Sequence, residues 1–314
     1  MSESNREAVW PHRLAWATAG ATVFLLFVGG LVTSLRVGLA VPDWPTTFGY
    51  NMFLFPWSAM VGGVFYEHSH RLVASAVGLL TVLLAVSLWL WERRRWVCWL
   101  GAAALLLVVA QGIIGGLRVV LLEVVFAILH ACFAQAFFAL AVSLALFTSA
   151  EWPVWSRWMP RQEVVSLRTL CLAVALVIYV QGILGALLRH TGAMLMPHLF
   201  VAGLMVGLVS WLSARVWRYR FDHPELWRPG SLLGALVLAQ ILLGFISYLG
   251  KFWAWLPVPV VVLVTTFHMV TGAVTFATAV VLILRCYRLA ATADFAGAPG
   301  DVFAPAPGAS HRTA

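Results

Sequence analysis

Residues 124–147 read VVFAILHACFAQAFFALAVSLALF, with no charged side chain and one imidazole, His130. An uncharged apolar run of about 20 residues is long enough to cross a bilayer as a helix. Seven more apolar runs, with at most one charged side chain each, flank it: roughly Leu14–Leu35, His68–Trp91, Val97–Gly116, Ser166–Leu188, Met194–Trp217, Ser231–Leu249 and Val258–Arg285. Composition agrees, since 62% of the 314 residues are hydrophobic and only 10% are charged, where a soluble domain carries about one quarter. The expected fold is an all-α integral membrane protein with eight transmembrane helices.

The net charge of +8 could suggest a nucleic-acid partner, but its placement argues against one. Arg6, Arg13, Arg93, Arg94, Arg95, Arg157, Arg161, Arg168, Arg215, Arg218, Arg220, Arg228, Arg285, Arg288 and Arg312 fall on one side of the predicted spans. Arg36, Arg71, Arg118, Arg189 and Lys251 fall on the other. That asymmetry is the positive-inside pattern, and it puts both termini in the cytoplasm. The first span is read as a retained helix rather than a cleaved leader, because no small-residue cleavage site follows it. Cys98, Cys132, Cys171 and Cys286 lie outside the external loops and show no C-x-x-C spacing, so they are expected to pack as small apolar groups without disulfides.

The chain repeats itself. LLLVVAQGIIGGLRV around Gln111 resembles LVLAQILLGFISYLG around Gln240, and the stretch after His70 resembles the one after His198. The segment around His130 resembles the one around His268. With four helices per half, both halves insert in the same direction, as parallel repeats do. The expected organisation is two pseudo-symmetric four-helix bundles, over residues 1–150 and 151–289, followed by an Ala-, Gly- and Pro-rich tail at 290–314 expected to be disordered.

Four histidines, His70, His130, His198 and His268, occupy matching positions near the external ends of their spans. An ionisable residue inside a membrane is costly and marks a functional site by default. Two per half suggest two His-Fe-His haem sites. A lone membrane histidine often just bonds a neighbouring helix; four at repeat positions argue for more than that. His12 and His223 lie in internal polar segments and are expected to be solvated, and His68 to be interfacial.

The halves differ in one respect. Glu67 precedes His70 by three residues and shares a helix face with Arg71, whereas Leu195 holds the corresponding place before His198. If the helix starts by Glu67, the carboxylate sits at its N-terminus, favoured by the dipole. A carboxylate beside one haem and not the other makes Glu67 a candidate proton acceptor; the plainer reading is a capping residue paired with Arg71. The rigid turn at Pro42-Asp43-Trp44-Pro45 is placed to cover a haem edge. Arg36, Arg71, Arg118 and Arg189 are candidate partners for haem propionates or for the external loops.

These motifs together resemble the heme A synthase family. The resemblance rests on GGLVTSLRVGLAVPDWP (29–45), EHSHR (67–71), LHA (129–131), QGILGALLRHTGA (181–193) and FHMVTG (267–272), spread over the eight spans. It implies an oxidoreductase that converts a haem O methyl group to a formyl group, by two hydroxylations and loss of water, giving haem A for cytochrome oxidase. It implies that His70 and His130 hold the substrate haem with Glu67 catalytic, and that His198 and His268 hold a haem b cofactor. The implied setting is the bacterial inner (plasma) membrane. Haem O is the implied substrate and an electron donor or acceptor of unspecified kind completes the reaction. Haem O synthase and cytochrome oxidase assembly factors are the implied partners, and a homo-oligomer is compatible.

The chain departs from the family in its first external loop. Many members carry a cysteine pair there, and residues 36–66 contain no cysteine, so no thiol chemistry in that loop belongs to this protein. The competing function is a di-haem cytochrome b-type protein that only transfers electrons; it explains four histidines but not the one-sided carboxylate. A haem exporter or chaperone is a third possibility. A prenyl transferase is excluded, because no Asp-rich motif is present to bind Mg²⁺-pyrophosphate.

Overall fold

The computed structural model describes residues 9–150, 152, 159–253 and 256–296. Eight α-helices account for almost all of it: α1 Val9–Ser34, α2 Gly63–Trp91, α3 Arg95–Leu121, α4 Val124–Phe147, α5 Arg161–Thr191, α6 Leu195–Trp217, α7 Pro224–Phe252 and α8 Val258–Ala296. All eight are long and apolar enough to cross a membrane. Among the described residues there is no β-strand beyond one isolated bridge, Thr47 to Tyr50.

Most helices run past the ends expected from hydropathy. α7 has 29 residues, about 44 Å at 1.5 Å per residue, against a hydrocarbon core of about 30 Å. Hydropathy reads only the part inside the core, whereas backbone hydrogen bonding carries the helix into the headgroup region. Two expectations change as a result. α2 begins at Gly63, so no acidic residue lies in its first turn and Glu67 does not cap the helix. α8 continues to Ala296, beyond the expected tail boundary at residue 290; the rest of that tail lies outside the described residues.

In the first half, α1 packs on α2, α2 on α3, α3 on α4 and α4 on α1. In the second half, α5, α6, α7 and α8 close in the same order, with α8 returning to α5. Contacts between the halves run through α1, α4, α5 and α8. That seam is rich in small residues, with Ala19, Ala139, Ala141, Ala273 and Ala277 all buried in it. Lipid tails are as apolar as these side chains, so close backbone packing is what holds such a seam.

The short segments between helices fold back onto the helix ends, which overturns three expectations. His223 is buried, its Nδ1 2.8 Å from Glu225 Oε1. His12 Nδ1 stands 3.1 Å from the Ala145 carbonyl and 3.3 Å from Thr148 Oγ1. His68 is buried under the first external loop, with Nδ1 3.2 Å from Thr47 Oγ1 and its ring against Phe55. Each imidazole finds polar partners in the protein; His68 and His223 are buried and His12 is half-buried. All four cysteines are free and buried, as expected.

Candidate functional site

The four histidines that the repeat singled out meet in two pairs. The rings of His70 (α2) and His130 (α4) stand 6.5 Å apart, centre to centre, at 77°. The rings of His198 (α6) and His268 (α8) stand 6.5 Å apart at 75°. In each pair, the helix lying between the two in sequence neither contributes a ring nor blocks them.

A glycine on the preceding helix faces each ring. A Cβ built on Gly29 (α1) would come within 2.8 Å of the His70 ring. For Gly115 (α3) and His130 the distance is 3.3 Å, for Gly185 (α5) and His198 it is 3.3 Å, and for Gly244 (α7) and His268 it is 3.1 Å. A side chain at Gly29 would force the imidazole to shift, and one at Gly115, Gly185 or Gly244 would press on its ring by a few tenths of an ångström. Gly112, Gly116 and Gly182 were as prominent in the sequence, yet they face no histidine.

Three glutamines, each four residues before one of these glycines, reach the same histidines. Gln111 Nε2 donates to the His130 carbonyl at 3.1 Å, and Gln240 Nε2 to the His268 carbonyl at 2.9 Å. Gln181 Nε2 lies 3.2 Å from His198 Nε2. The signal was present in the sequence as Gln-x-x-x-Gly at 111–115, 181–185 and 240–244. In α1 the matching place before Gly29 is Leu25.

Nδ1 of all four histidines is buried without a hydrogen-bond partner. In each case Nδ1 stands 3.2–3.7 Å from the Cβ built on the facing glycine, so the side of the ring away from that glycine is the one left for a ligand. Among the described residues no cluster of three or more His, Cys, Asp or Glu could hold a metal. A bare ion such as zinc takes at least three protein ligands. An iron already held by a macrocycle needs only two axial ones, and bonds of about 2 Å to two imidazoles put the ring centres roughly 6 Å apart. The residues present therefore fit a bis-imidazole haem at each pair.

Glu67 and Arg71 organise the external face above the first pair. Glu67 is 4% exposed. Its Oε1 accepts from Arg71 Nη2 at 3.0 Å and its Oε2 from the Val41 amide at 3.0 Å. Arg71 also donates to the carbonyls of Asp43 (2.8 Å), Thr46 (3.0 Å) and Val41 (3.2 Å). Arg71 is thus engaged by the loop rather than facing a ligand. Trp44, between two of those carbonyls, lies against α3, where a Cβ on Gly116 would meet its ring at 2.3 Å. Gly116 adjoins Gly115, the seat of His130, so the loop covers the first site from one side.

The carboxylate of Asp43 accepts from the amides of Phe48 (2.7 Å) and Gly49 (2.9 Å) and from Thr46 Oγ1. Burial pushes this carboxyl up, but those three donors outweigh it and hold it below the ordinary carboxylate value. The clasp is therefore intact at neutral pH and is lost only as pH falls through that lowered value.

The remaining external cations sit at helix C-termini. Arg118 is in the last turn of α3 beside Gly38, and it makes no hydrogen bond or ion pair among the described residues. Arg189, in the last turn of α5, crosses to α1, donating to the Gly30 carbonyl (2.8 Å) and to Ser34 Oγ (2.7 Å). Ser34 Oγ in turn lies 2.9 Å from Thr266 Oγ1 on α8. Arg36 follows α1 in a left-handed conformation, at φ 59°.

Residues 58–200 match the COX15-CtaA family, described as cytochrome oxidase assembly protein. The matched segment contains Glu67, His70, His130 and His198; His268 lies beyond it. A protein named heme A synthase, from Shouchella clausii (strain KSM-K16), is 30% identical over 191 residues, covering 58% of this chain. The chain spans 60% of the length of that relative. Both comparisons bear out the resemblance that the motifs carried: this chain is similar to the heme A synthase family.

Proposed function

We propose that this protein is a membrane oxidoreductase of haem A formation, which oxidises a haem O methyl group to the formyl group of haem A. In this reading the two halves, 1–150 and 151–289, are parallel repeats of one four-helix bundle. His70 and His130 hold the substrate haem; His198 and His268 hold a haem b cofactor. The observation that carries the reading is the pair of matched imidazole clasps, 6.5 Å across in both halves, with a buried carboxylate near the first only. The distribution of arginines supports both termini on the cytoplasmic side of the inner membrane.

The protein's part in the chemistry is to hold, orient and exclude water. Each glycine seat fixes an imidazole, and Gln111 and Gln240 anchor the backbone of the helices carrying His130 and His268. Glu67 is the catalytic carboxylate in this reading, with Oε1 or Oε2 accepting a proton once it leaves Arg71 or the Val41 amide. Arg118, which makes no hydrogen bond or ion pair among the described residues, is the best-placed cation for a propionate. His198 and His268 would hold a haem b in the second half, which would supply one-electron redox chemistry there.

The test is to purify the protein from cells that make haem O, extract its haems and identify them by mass. Haem O, a hydroxylated derivative or haem A is expected alongside haem b. Haem b alone, with no conversion of haem O by the membranes, overturns the reading in favour of a di-haem electron-transfer protein.

The glycine seats give a second expectation. Alanine in place of helical glycine normally favours the helix by about 1 kcal/mol. Gly29→Ala should nevertheless weaken haem affinity at the first site about tenfold, since a misplaced ligand costing about 1.4 kcal/mol has that effect, and lower its occupancy when haem is limiting. Haem-to-protein ratios measure it. Unchanged occupancy would remove the seat from the account.

A further inference from the structure

From Trp44 to Tyr66 the first external loop contains no charged residue. Asp43 accepts from the amides of both central residues of a tight turn, Phe48 at φ 50° and Gly49 at φ 79°. Positive φ is unusual for a bulky residue such as phenylalanine, and here it is held in place by that carboxylate. The turn leaves the Phe48 ring half exposed. Tyr50, Phe53, Leu54, Trp57 and Val61 are exposed as well, Leu54 at 77% and Trp57 at 78%. Phe55 and Met60 are buried instead; Phe55 packs onto Phe48, Tyr50 and His68 and pins the loop to α2.

So many large apolar side chains in one short uncharged segment are not left in water. Their surroundings point to what covers them. Phe65, in the first turn of α2, is half exposed and comes four residues after Val61. On the helix it shares a face with Leu79, Leu83 and Leu90, all exposed; spacings of 14, 4 and 7 residues return to one side at 3.6 per turn. That face is the lipid-facing side of a membrane-spanning helix, so the loop patch continues a surface already in contact with lipid.

We infer that the loop between α1 and α2 docks into the bilayer, with Phe53, Leu54 and Trp57 seated at the boundary between headgroups and acyl chains on that side of the membrane. Aromatic residues favour this zone, and an uncharged apolar face enters it without the cost of burying charge. Arg71 clamps the same loop above the first histidine pair, so the docked loop sets that site at the level of the leaflet.

The test places nitroxide labels on the full-length protein in phosphatidylcholine–phosphatidylglycerol proteoliposomes, at Leu54→Cys and Trp57→Cys. The four native cysteines are buried, and unsubstituted protein controls for their labelling. Leu79→Cys reports the lipid face and Thr191→Cys the aqueous side. Labels at 54 and 57 should relax with oxygen several-fold more than with a water-soluble nickel complex, as at 79. Nickel-dominated relaxation, as at 191, overturns the inference. So does a label shielded from both reagents, which would mean that a second copy or another protein covers the loop. No haem enters this experiment, so its outcome is independent of the proposed function.

Discussion

Replacing His268 by leucine should halve the haem bound per chain and leave the first site filled. His268 faces His198 across 6.5 Å, so its loss leaves the second site one axial ligand. Leucine is close in volume to histidine and suits an apolar helix. The helix should therefore persist while the site empties, which separates a ligand from a packing residue. His198→Leu should do the same. Pyridine haemochrome content per mole of protein measures both. A variant that keeps its full haem content would show that these imidazoles merely bond neighbouring helices.

Glu67→Gln should abolish conversion while both haems stay bound. Loss of a positioned general acid or base costs on the order of 10²- to 10⁴-fold in rate, and that is the expected fall. The structure recommends glutamine over alanine. The side-chain oxygen of glutamine can still accept from the Val41 amide, and Arg71 keeps its three loop carbonyls. Removing the side chain altogether would vacate one half of a buried ion pair, a change that costs roughly 3–5 kcal/mol and would confuse folding with catalysis. Turnover of haem O, followed beside the optical spectrum, separates the outcomes. If first-site haem is lost along with activity, Glu67 is an anchor for the loop. If activity survives, Glu67 has no part in the reaction.

The spans and the histidines were legible because each is written in local sequence. Hydropathy alone marked eight helices, and a repeat of about 130 residues picked out His70, His130, His198 and His268 among nine histidines. Helix ends were not legible, since backbone hydrogen bonds continue where hydropathy stops; this moved Glu67 from the first turn of α2 to its second. The cover over the first site was legible as the rigid turn at Pro42-Asp43-Trp44-Pro45, but the clamp that holds it was not. Arg71 holds that loop through the carbonyls of Val41, Asp43 and Thr46, and a backbone carbonyl has no signature in the residue it belongs to. The glycine seats were half legible. Gln-x-x-x-Gly marks three of them, but Gly29 has no such flag and shows only when α1 lies against α2. His223, expected to be solvated, and His68, expected to be interfacial, are both buried, because tertiary contacts such as Thr47 and Phe55 on His68 are not visible in the neighbouring sequence.

Two irons per chain, each held between imidazoles from alternate helices, are the central expectation of the proposed function. Low-temperature electron paramagnetic resonance of the oxidised, haem-loaded protein, with iron counted per chain, tests that most directly. Two low-spin ferric centres per chain are expected, one of which disappears in His268→Leu and the other in His130→Leu. High-spin iron in both sites, or low-spin signals indifferent to these substitutions, would contradict it.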